Sequence, residues 1–463
     1  MKKLTLPWSK SITNRNLILA SLFEWKTKLN WVLVSDDTRF MINALKDLGV
    51  KIQDNWISVI IDWWVDNLSC WEIEIYLGQS GTCMRFLPAF ACLLKSWQIT
   101  FVWEERLMQR PMWDLIDWIK QLWIKIEARE DKFPPLTIYW KNNVEMFEKN
   151  IWKEEWKKIK MNWTVSSQFF TALMNIWGFI KWGLEIEVIW DLVSKPYIDM
   201  TIFELEKFWI KVKNNDYKSF KIYDRPVSKR PVSELFIEWD ASALSYIANY
   251  IVLHWWRIEI QNLWKNTKQG DYKYLEILEK YFWLLLESNW EKTILKCGWI
   301  EKNLPLVLKG LPERGGIIDI FNFENMPDVS MSFMSLAIFL PWKTKITGLK
   351  TLNLKECKRI DAMRDELKKL WVEVESNEES IIIWEYTYFL SPERREYPKG
   401  ERGITKISTY NDHRIAMTFW VLKTYLEKIY KENIKISNPS CVEKTYPSFW
   451  EDLSELKNTE KFI

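Results

Sequence analysis

Cations at helix starts and in a glycine loop, joined in the second half of the chain by a few carboxylates, are the residues with chemistry to do. In LPWSKSITNR, Lys10, Ser11 and Arg15 surround a helix beginning, and a helix N-terminus flanked by two cations is an anion site. LGQSGTCMR sets Gly78 and Gly81 in a loop of backbone N–H donors that leads into another helix, with Thr82 and Arg85 beside it. Arg110 in QRPMW stands just before a further helix, Ser166, Ser167 and Gln168 supply neutral donors at the next, and Ser194-Lys195-Pro196-Tyr197 repeats the design. Asp328 in NMPDVSM, Lys355, Glu356 and Arg359 in LKECKRID, Asp412-His413-Arg414 in YNDHRIAM and Lys444 in EKTYPSF then place acid–base candidates beside more cations. Singly, each has an ordinary reading: Glu356 and Arg359 as an i, i+3 helix pair, His413 as a core histidine, Lys444 as a solvated charge. Recurring at equivalent places in successive repeats, they imply one or two small polyanionic substrates handled by proton transfer without metal.

The elements that must hold these groups also recur. TRFMINALKDLGV, WDLIDWIKQLWI, YIDMTIFELEKFWI, YKYLEILEKYFWL and RIDAMRDELKKLWV, with a more apolar sixth in HRIAMTFWVLKTYL, have apolar residues at i, i+3, i+4 and i+7, which predicts helices burying one face. Short β-like runs lie between them, at Ile73–Tyr76, Ile99–Val102, Ile258–Ile260 and Ile381–Ile383. Six helix-plus-strand units spaced by roughly 50 to 90 residues are too far apart for a short-period solenoid and predict α/β domains built by duplication. A domain boundary is expected in the charged, turn-rich stretch Asn214–Glu238, and Ser391–Lys406 reads as a surface excursion.

Composition excludes several classes. The chain has 463 residues, 65 Lys+Arg against 62 Asp+Glu, 48% hydrophobic and 27% charged residues. That describes two or three folded domains, neither disordered nor built around nucleic acid or a charged membrane surface. No stretch approaches the ~18 apolar residues of a membrane span and no signal-peptide run opens the chain, so a cytoplasmic protein is expected. Six cysteines without a CxxC spacing give neither a disulfide framework nor a zinc site, two histidines leave no histidine-rich metal chemistry, and no cofactor is expected.

One feature is out of proportion. Glycine occurs 13 times and tryptophan 32 times, where about 7% glycine is usual. The end of each amphipathic helix shows an apolar residue, one special position and another apolar residue: Leu48-Gly49-Val50, Leu122-Trp123-Ile124, Phe208-Trp209-Ile210, Phe282-Trp283-Leu284 and Leu370-Trp371-Val372. That position wants a left-handed residue, which glycine adopts freely and tryptophan does not. Other tryptophans stand in turn-like contexts, as in Glu24-Trp25-Lys26, Trp255-Trp256 and Pro341-Trp342-Lys343. Most of the tryptophans are therefore expected to be glycines in the living protein, written as Trp because a UGA codon was read under the wrong code. Ordinary UGG codons at Trp123, Trp209 and Trp371 are the result that contradicts this.

With those substitutions in mind, LPWSKSITNR, SDDTRFMINALKDLGV, LGQSGTCMRFL, RPMWDLID, TVSSQFFTAL, DLVSKPYIDMT, EWDASALSYI, KECKRIDAM, YNDHRIAM and EKTYPSFW together closely resemble the EPSP synthase (3-phosphoshikimate 1-carboxyvinyltransferase) family of the shikimate pathway. The resemblance runs in order from about Leu4 to Leu453. Trp8, Trp163, Trp190 and Trp239 stand where that family typically has glycine, which agrees with recoding, whereas Trp450 falls where an aromatic is acceptable and is expected to be genuine.

The resemblance implies an α/β enolpyruvyl transferase fold of two domains, each with three βαβαββ units and internal helices, and an interdomain cleft that closes around substrate. One domain would span residues 11–237, and the other residues 1–10 with 238–463. Carried over residue by residue, it implies that shikimate 3-phosphate meets Lys10, Ser11, Arg15, Ser166, Ser167, Gln168, Ser194, Tyr197, Asp328 and Lys355. Phosphoenolpyruvate would meet Lys10, Gly81, Arg110, Gln168, Arg359, Arg414 and Lys444. Asp328 would take the proton of the attacking 5-hydroxyl and Glu356 would act as acid toward the methylene carbon, with Lys10 completing the catalytic set. Small-molecule partners only, no nucleic acid, no membrane and a monomer are the corresponding expectations.

Three positions depart from the family pattern. Lys358 stands where an acid is usual, which bears on how Arg359 is positioned; Thr351 stands where an asparagine often contacts substrate; Phe86 stands where a proline is common. Genuine tryptophans at Trp8 and Trp163 would crowd two anion loops. Of the alternatives, the UDP-N-acetylglucosamine enolpyruvyl transferases share the chemistry but are expected to show Lys-Asn near the N-terminus and a loop cysteine, where this chain has Lys10-Ser11 and SITNR. A non-catalytic Trp-rich surface for single-stranded nucleic acid predicts UGG codons and no turnover.

Overall fold

The computed structural model describes residues 2–23, 25–62, 72–94, 98–122, 124–139, 157–161, 167–178, 183–189, 193–224, 232–254, 257–263, 266–288, 293–297, 318–384 and 404–458. Ser166, Trp123, Trp163, Trp190, Trp255, Trp256 and most of the 391–406 stretch lie outside them.

The repeating unit is a strand, a buried helix, a second strand parallel to the first, an amphipathic helix, and an antiparallel hairpin. Ile73–Tyr76, helix Cys83–Ala91, Gln98–Val102, helix Trp113–Gln121, Lys125–Arg129 and Phe133–Tyr139 form one complete copy. Its sheet pairs Ile73–Tyr76 in parallel with Gln98–Val102, and Phe133–Tyr139 in antiparallel fashion with both Gln98–Val102 and Lys125–Arg129. The same spatial order recurs in four more four-stranded sheets, and the last copy keeps a parallel pair, Thr405–Ile407 with Ile434–Ile436. The β runs and all six amphipathic helices read from the sequence fall inside these elements.

The chain divides into two compact units, Trp8–Glu238 and Met1–Pro7 with Trp239–Ile463. Two copies are closed by strands distant in sequence: Lys2–Leu4 pairs with Arg257–Ile260, and Glu234–Phe236 with Thr27–Asn30. Each unit has its own hydrophobic core. The first helix of each copy is packed inside it. Every residue of Cys83–Ala91, Ala241–His254 other than Ser242, and Ser330–Ala337 is buried, and each large apolar side chain so buried is worth about 1.5–3 kcal/mol. The second helices bury one face only, as Asp36–Asp47 does with Met41, Ile42, Ala44 and Leu45.

The ends of the amphipathic helices bear out the special position read from the sequence. Gly49, Trp209, Trp283 and Trp371 have φ of +92°, +61°, +52° and +64°. At Gly49, Trp209 and Trp371 the chain closes a Schellman turn: Val50, Ile210 and Val372 donate N–H to the carbonyls of Leu45, Leu205 and Leu367 at 2.9, 3.0 and 3.2 Å. Trp371 is 76% exposed and Trp209 46%, so Trp371 in particular has little burial to offset the left-handed backbone.

Candidate active site

Because every copy runs strand to helix, the helix N-termini gather at the C-terminal ends of the parallel strands. The candidate residues sit at these starts: Lys10 opens Lys10–Ser21, Ser167 and Gln168 open Ser167–Trp177, Ser194 caps Lys195–Lys207, Asp328 precedes Ser330–Ala337, Arg359 opens its helix and Arg414 lies in the first turn of His413–Tyr430.

In the Trp8–Glu238 unit, Ser9 caps the first helix, its hydroxyl accepting from the Ile12 N–H at 3.4 Å. Lys10 Nζ lies 3.6 Å from Asp37 Oδ2, which also accepts from Asn14 Nδ2 at 3.3 Å. Arg15 is buried, and four of its five N–H donors go to protein: Nε to Thr201 Oγ1, Nη1 to the Ser11 carbonyl, and Nη2 to Thr171 Oγ1 and the Tyr197 carbonyl. Burial lowers its pKa to about 10 despite the nearby Glu204 carboxylate. Arg15 therefore ties Ser11 and Tyr197 together.

Gly81 is pressed by two guanidinium groups. A Cβ there would lie 3.0 Å from Arg110 Nη1 and 3.3 Å from Arg85 Nη1, so a larger residue would push the two guanidinium groups back from the loop backbone by a few tenths of an ångström. Ser194 has φ +58°, a left-handed strain of the kind held at ligand sites. Phe86, one of the departures, is buried and carries the Arg15 guanidinium 5.9 Å above its ring.

The other unit holds a dense charge network. Arg359 is buried and reaches three carboxylates: Nε to Asp412 Oδ2 at 2.7 Å, Nη2 to Glu356 Oε2 at 2.9 Å and Asp412 Oδ1 at 3.3 Å, and Nη1 to Asp328 Oδ1 at 3.3 Å. Lys444 Nζ donates to Glu356 Oε1 at 2.8 Å. Arg414 Nη2 donates to Asp328 Oδ2 at 3.0 Å, and Lys355 Nζ lies 3.6 Å from Asp328 Oδ1. Burial pushes the Asp328 carboxyl up, but Arg414, Lys355 and Arg359 outweigh it and hold the group well below the usual carboxylate range. Burial likewise opposes the Arg359 charge, and Asp412, Glu356 and Asp328 overcome it.

Other residues contribute here in ways the sequence did not specify. Asp412 caps its helix, accepting from the Arg414 N–H at 2.9 Å while clamping Arg359; its place beside His413-Arg414 after a turn was the available signal. Asp412, Glu356 and Asp328 between them position Arg359 in a chain with Lys358 in place of an acid. Ser242, inside the EWDASALSYI segment but given no role there, and Asp271, in none of the quoted segments, border the network: the Ser242 hydroxyl donates to Asp271 Oδ2. Burial, and then Asp328, raise the Asp271 carboxyl above its ordinary value. Thr351 is buried. Among the described residues no group of His, Cys, Asp and Glu could hold a metal ion, and no helix is long and apolar enough to cross a membrane.

The cations at these helix starts can bind phosphate and carboxylate groups, and Asp328 and Glu356 can take and give protons. Comparison with known proteins agrees with that chemistry. A model of the EPSP synthase (3-phosphoshikimate 1-carboxyvinyltransferase) family matches residues 1–453. The chain is 31% identical over 464 residues to the 3-phosphoshikimate 1-carboxyvinyltransferase of Mannheimia haemolytica, covering 98% of this chain and 96% of that one. It is 31% identical over 461 residues to the protein of the same name from Haemophilus ducreyi, covering 98% and 95%. In fold it is similar to an EPSP synthase from Acinetobacter baumannii, with a TM-score of 0.68 at 19% identity over 98% of this chain and 95% of that one. It is similar too to the enolpyruvyl transferase NikO from Streptomyces tendae, with a TM-score of 0.67 at 11% identity over 99% and 95%. An unbroken match of this length, over a chain whose helix starts carry these charges, places the protein in the EPSP synthase (3-phosphoshikimate 1-carboxyvinyltransferase) family.

Proposed function

We propose that the charge network around Asp328, Glu356, Arg359, Arg414 and Lys444 performs the family's reaction, transfer of the enolpyruvyl group of phosphoenolpyruvate to the 5-hydroxyl of shikimate 3-phosphate. In the addition half, the methylene carbon gains a proton and becomes methyl, the 5-oxygen bonds to the adjacent carbon, and Asp328 takes the hydroxyl proton. In the elimination half, the carbon–phosphate oxygen bond breaks, the methyl gives back one proton, and the enol ether and inorganic phosphate form. The proton at the methyl carbon moves through Glu356, whose contact with Lys444 keeps a proton donor at 2.8 Å. Preorganised cations meet the charge that grows on the departing phosphate.

The three cations on Asp328 carry this reading, because they solve a problem of timing. With no substrate, Arg414, Arg359 and Lys355 neutralise Asp328, and a carboxylate so held is a weak base. Phosphoenolpyruvate brings anions that compete for both arginines, and Asp328 becomes more basic when there is a hydroxyl to deprotonate. The family resemblance assigns Lys10, Ser11, Arg15, Ser166, Ser167, Gln168, Ser194 and Tyr197 to shikimate 3-phosphate, and Gly81 with Arg110 to phosphoenolpyruvate. Turnover in D2O, followed by proton NMR, is expected to give an enol ether with deuterium in its methylene. No ether, or ether without deuterium, contradicts the addition–elimination course.

The excess tryptophan belongs to the same reading: most of these residues are glycines in the living protein. The left-handed backbone at Trp209, Trp283 and Trp371 supports it, as does Trp239, whose buried indole N–H has no hydrogen-bond acceptor. Trp8 stacks on Trp31 at 4.9 Å between ring centroids, beside the Lys10 loop. Trp450 differs, since its indole donates to the Pro439 carbonyl at 3.1 Å and it packs against Trp420 and Phe449. We read the protein as a cytoplasmic monomer.

A further inference from the structure

We propose that Ser242 and Asp271 form a positioning pair that aims Arg414, a role that rests on the reading of Arg414 as a phosphoenolpyruvate ligand. Ser242 lies in the first turn of helix Ala241–His254 and Asp271 in the short turn Gly270–Lys273 that leads into helix Tyr274–Phe282. These are the first-helix and second-helix starts of the copy closed by Lys2–Leu4. In neighbouring copies the corresponding starts carry Asp328 with Arg359, and Arg414 with Lys444. Ser242 and Asp271 thus occupy the two places that hold reacting or ligand-binding groups elsewhere in the unit.

Their geometry is directional. The Ser242 hydroxyl has one proton, and it is donated to Asp271 Oδ2. The lone pairs of that oxygen are left for Arg414, whose Nη2 approaches at 3.4 Å while also donating to Asp328 Oδ2 at 3.0 Å. A carboxylate that accepts the serine proton fixes the hydroxyl rotor, and the rotor fixes one edge of the guanidinium plane. Asp271 is itself built in: it is 5% exposed. The preceding Gln269 holds the other side of the segment, accepting from the Ala241 N–H at 3.1 Å and donating to the Trp239 carbonyl at 2.6 Å. Nη2 is thus engaged by Ser242 and Asp328 Oδ2 while Nη1 donates to the Asp328 carbonyl at 3.4 Å, so Ser242 and Asp328 together set the plane in which the guanidinium meets an incoming carboxylate or phosphate.

Steady-state kinetics on a full-length parent chain with glycine at Trp8, Trp163, Trp190, Trp209, Trp239, Trp283 and Trp371, carrying S242A, S242T, D271N or the S242A/D271N pair, test the proposal. S242A and D271N are each expected to raise KM for phosphoenolpyruvate about 5- to 30-fold, with KM for shikimate 3-phosphate changed less than twofold. S242T should recover most of the loss, and the double variant should be no worse than either single one, since both remove one interaction. A rise of both KM values together, an S242T as impaired as S242A, or losses that multiply in the double variant would each overturn the proposal. Labelling of Arg414 by phenylglyoxal, read by peptide mass without substrate, separates this from failure of the reaction assignment. A glycine-bearing parent chain that is folded and releases no phosphate counts against the reaction. Whatever that result, Arg414 labelled at the same rate in S242A as in the parent chain counts against the pair.

Discussion

Asp328 is where burial and charge compete most openly. Its three cations win over desolvation, so D328N removes both the base and the counter-charge for buried guanidinium groups. We expect D328N to lower kcat by about 10²- to 10⁴-fold, the usual range for a lost general base. Thermal stability should fall as well, with a defined pH window. A carboxyl depressed in the folded protein contributes stability above its unfolded pKa of about 3.9, and loses it as pH falls from there toward the folded value. The melting-temperature gap between wild type and D328N should therefore be full at pH 7 and shrink below about pH 4. A gap that stays constant down to pH 3 would show that Asp328 is not held by its cations. Asp412 tests the same network from the other side. D412N takes the charge from the bond to Arg359 Nε and should cost about 3 kcal/mol in unfolding free energy, as breaking one side of a buried pair does, measured by urea denaturation. At this scale the sequence was informative where a residue sits in a motif, as Asp328, Glu356 and Arg359 do. It gave no role to Ser242 or Asp271, whose meaning comes from two helix starts 29 positions apart meeting in space.

The amphipathic helices were legible because a half-buried helix writes its period into the chain. Helices such as Cys83–Ala91 and Ser330–Ala337 were not, since burial on all sides leaves no polar face and hence no period. Their starts were visible only through Gly81, Thr82 and Asp328. Helix ends give the sharpest test of the tryptophan anomaly. A left-handed L-residue costs roughly 1–2 kcal/mol, and the Trp371 ring, mostly in solvent, recovers little of it, the half-buried Trp209 ring only part. W209G and W371G should each stabilise the protein by about 1 kcal/mol in chemical denaturation. W450G should do the opposite and cost about 2 kcal/mol, below the ~3–5 kcal/mol of a fully buried ring, because its indole is bonded and packed. Equal losses at all three sites would mean that these tryptophans are native.

The repeat count could be read from spacing along the chain, but the exchange of strands between copies could not. Lys2–Leu4 finds its partner at Arg257–Ile260 and Glu234–Phe236 finds Thr27–Asn30, pairings over two hundred positions apart that no local pattern encodes. They make the two units unequal as fragments. Residues 8–238 contain all three of their sheets, and the Ser9 N–H closes on the Glu238 carbonyl at 2.7 Å. Residues 239–463 alone lack the edge strand Lys2–Leu4. An excised 8–238 fragment is expected to melt cooperatively, whereas 239–463 should melt at least about 10 °C lower than the same residues with 1–7 restored as a peptide, a difference of roughly 2 kcal/mol or more for a domain of this size. Calorimetry on the fragments checks it.

The whole account comes down to one reaction by one chain, and phosphate release from phosphoenolpyruvate measures it. The chain as written and a version with glycine at Trp8, Trp163, Trp190, Trp209, Trp239, Trp283 and Trp371 would each be offered shikimate 3-phosphate or UDP-N-acetylglucosamine. The account predicts one phosphate released per shikimate 3-phosphate consumed by the glycine version, little from the chain as written, and none with the other acceptor. Folded glycine-version protein that releases phosphate only with UDP-N-acetylglucosamine, or with neither acceptor, would contradict it.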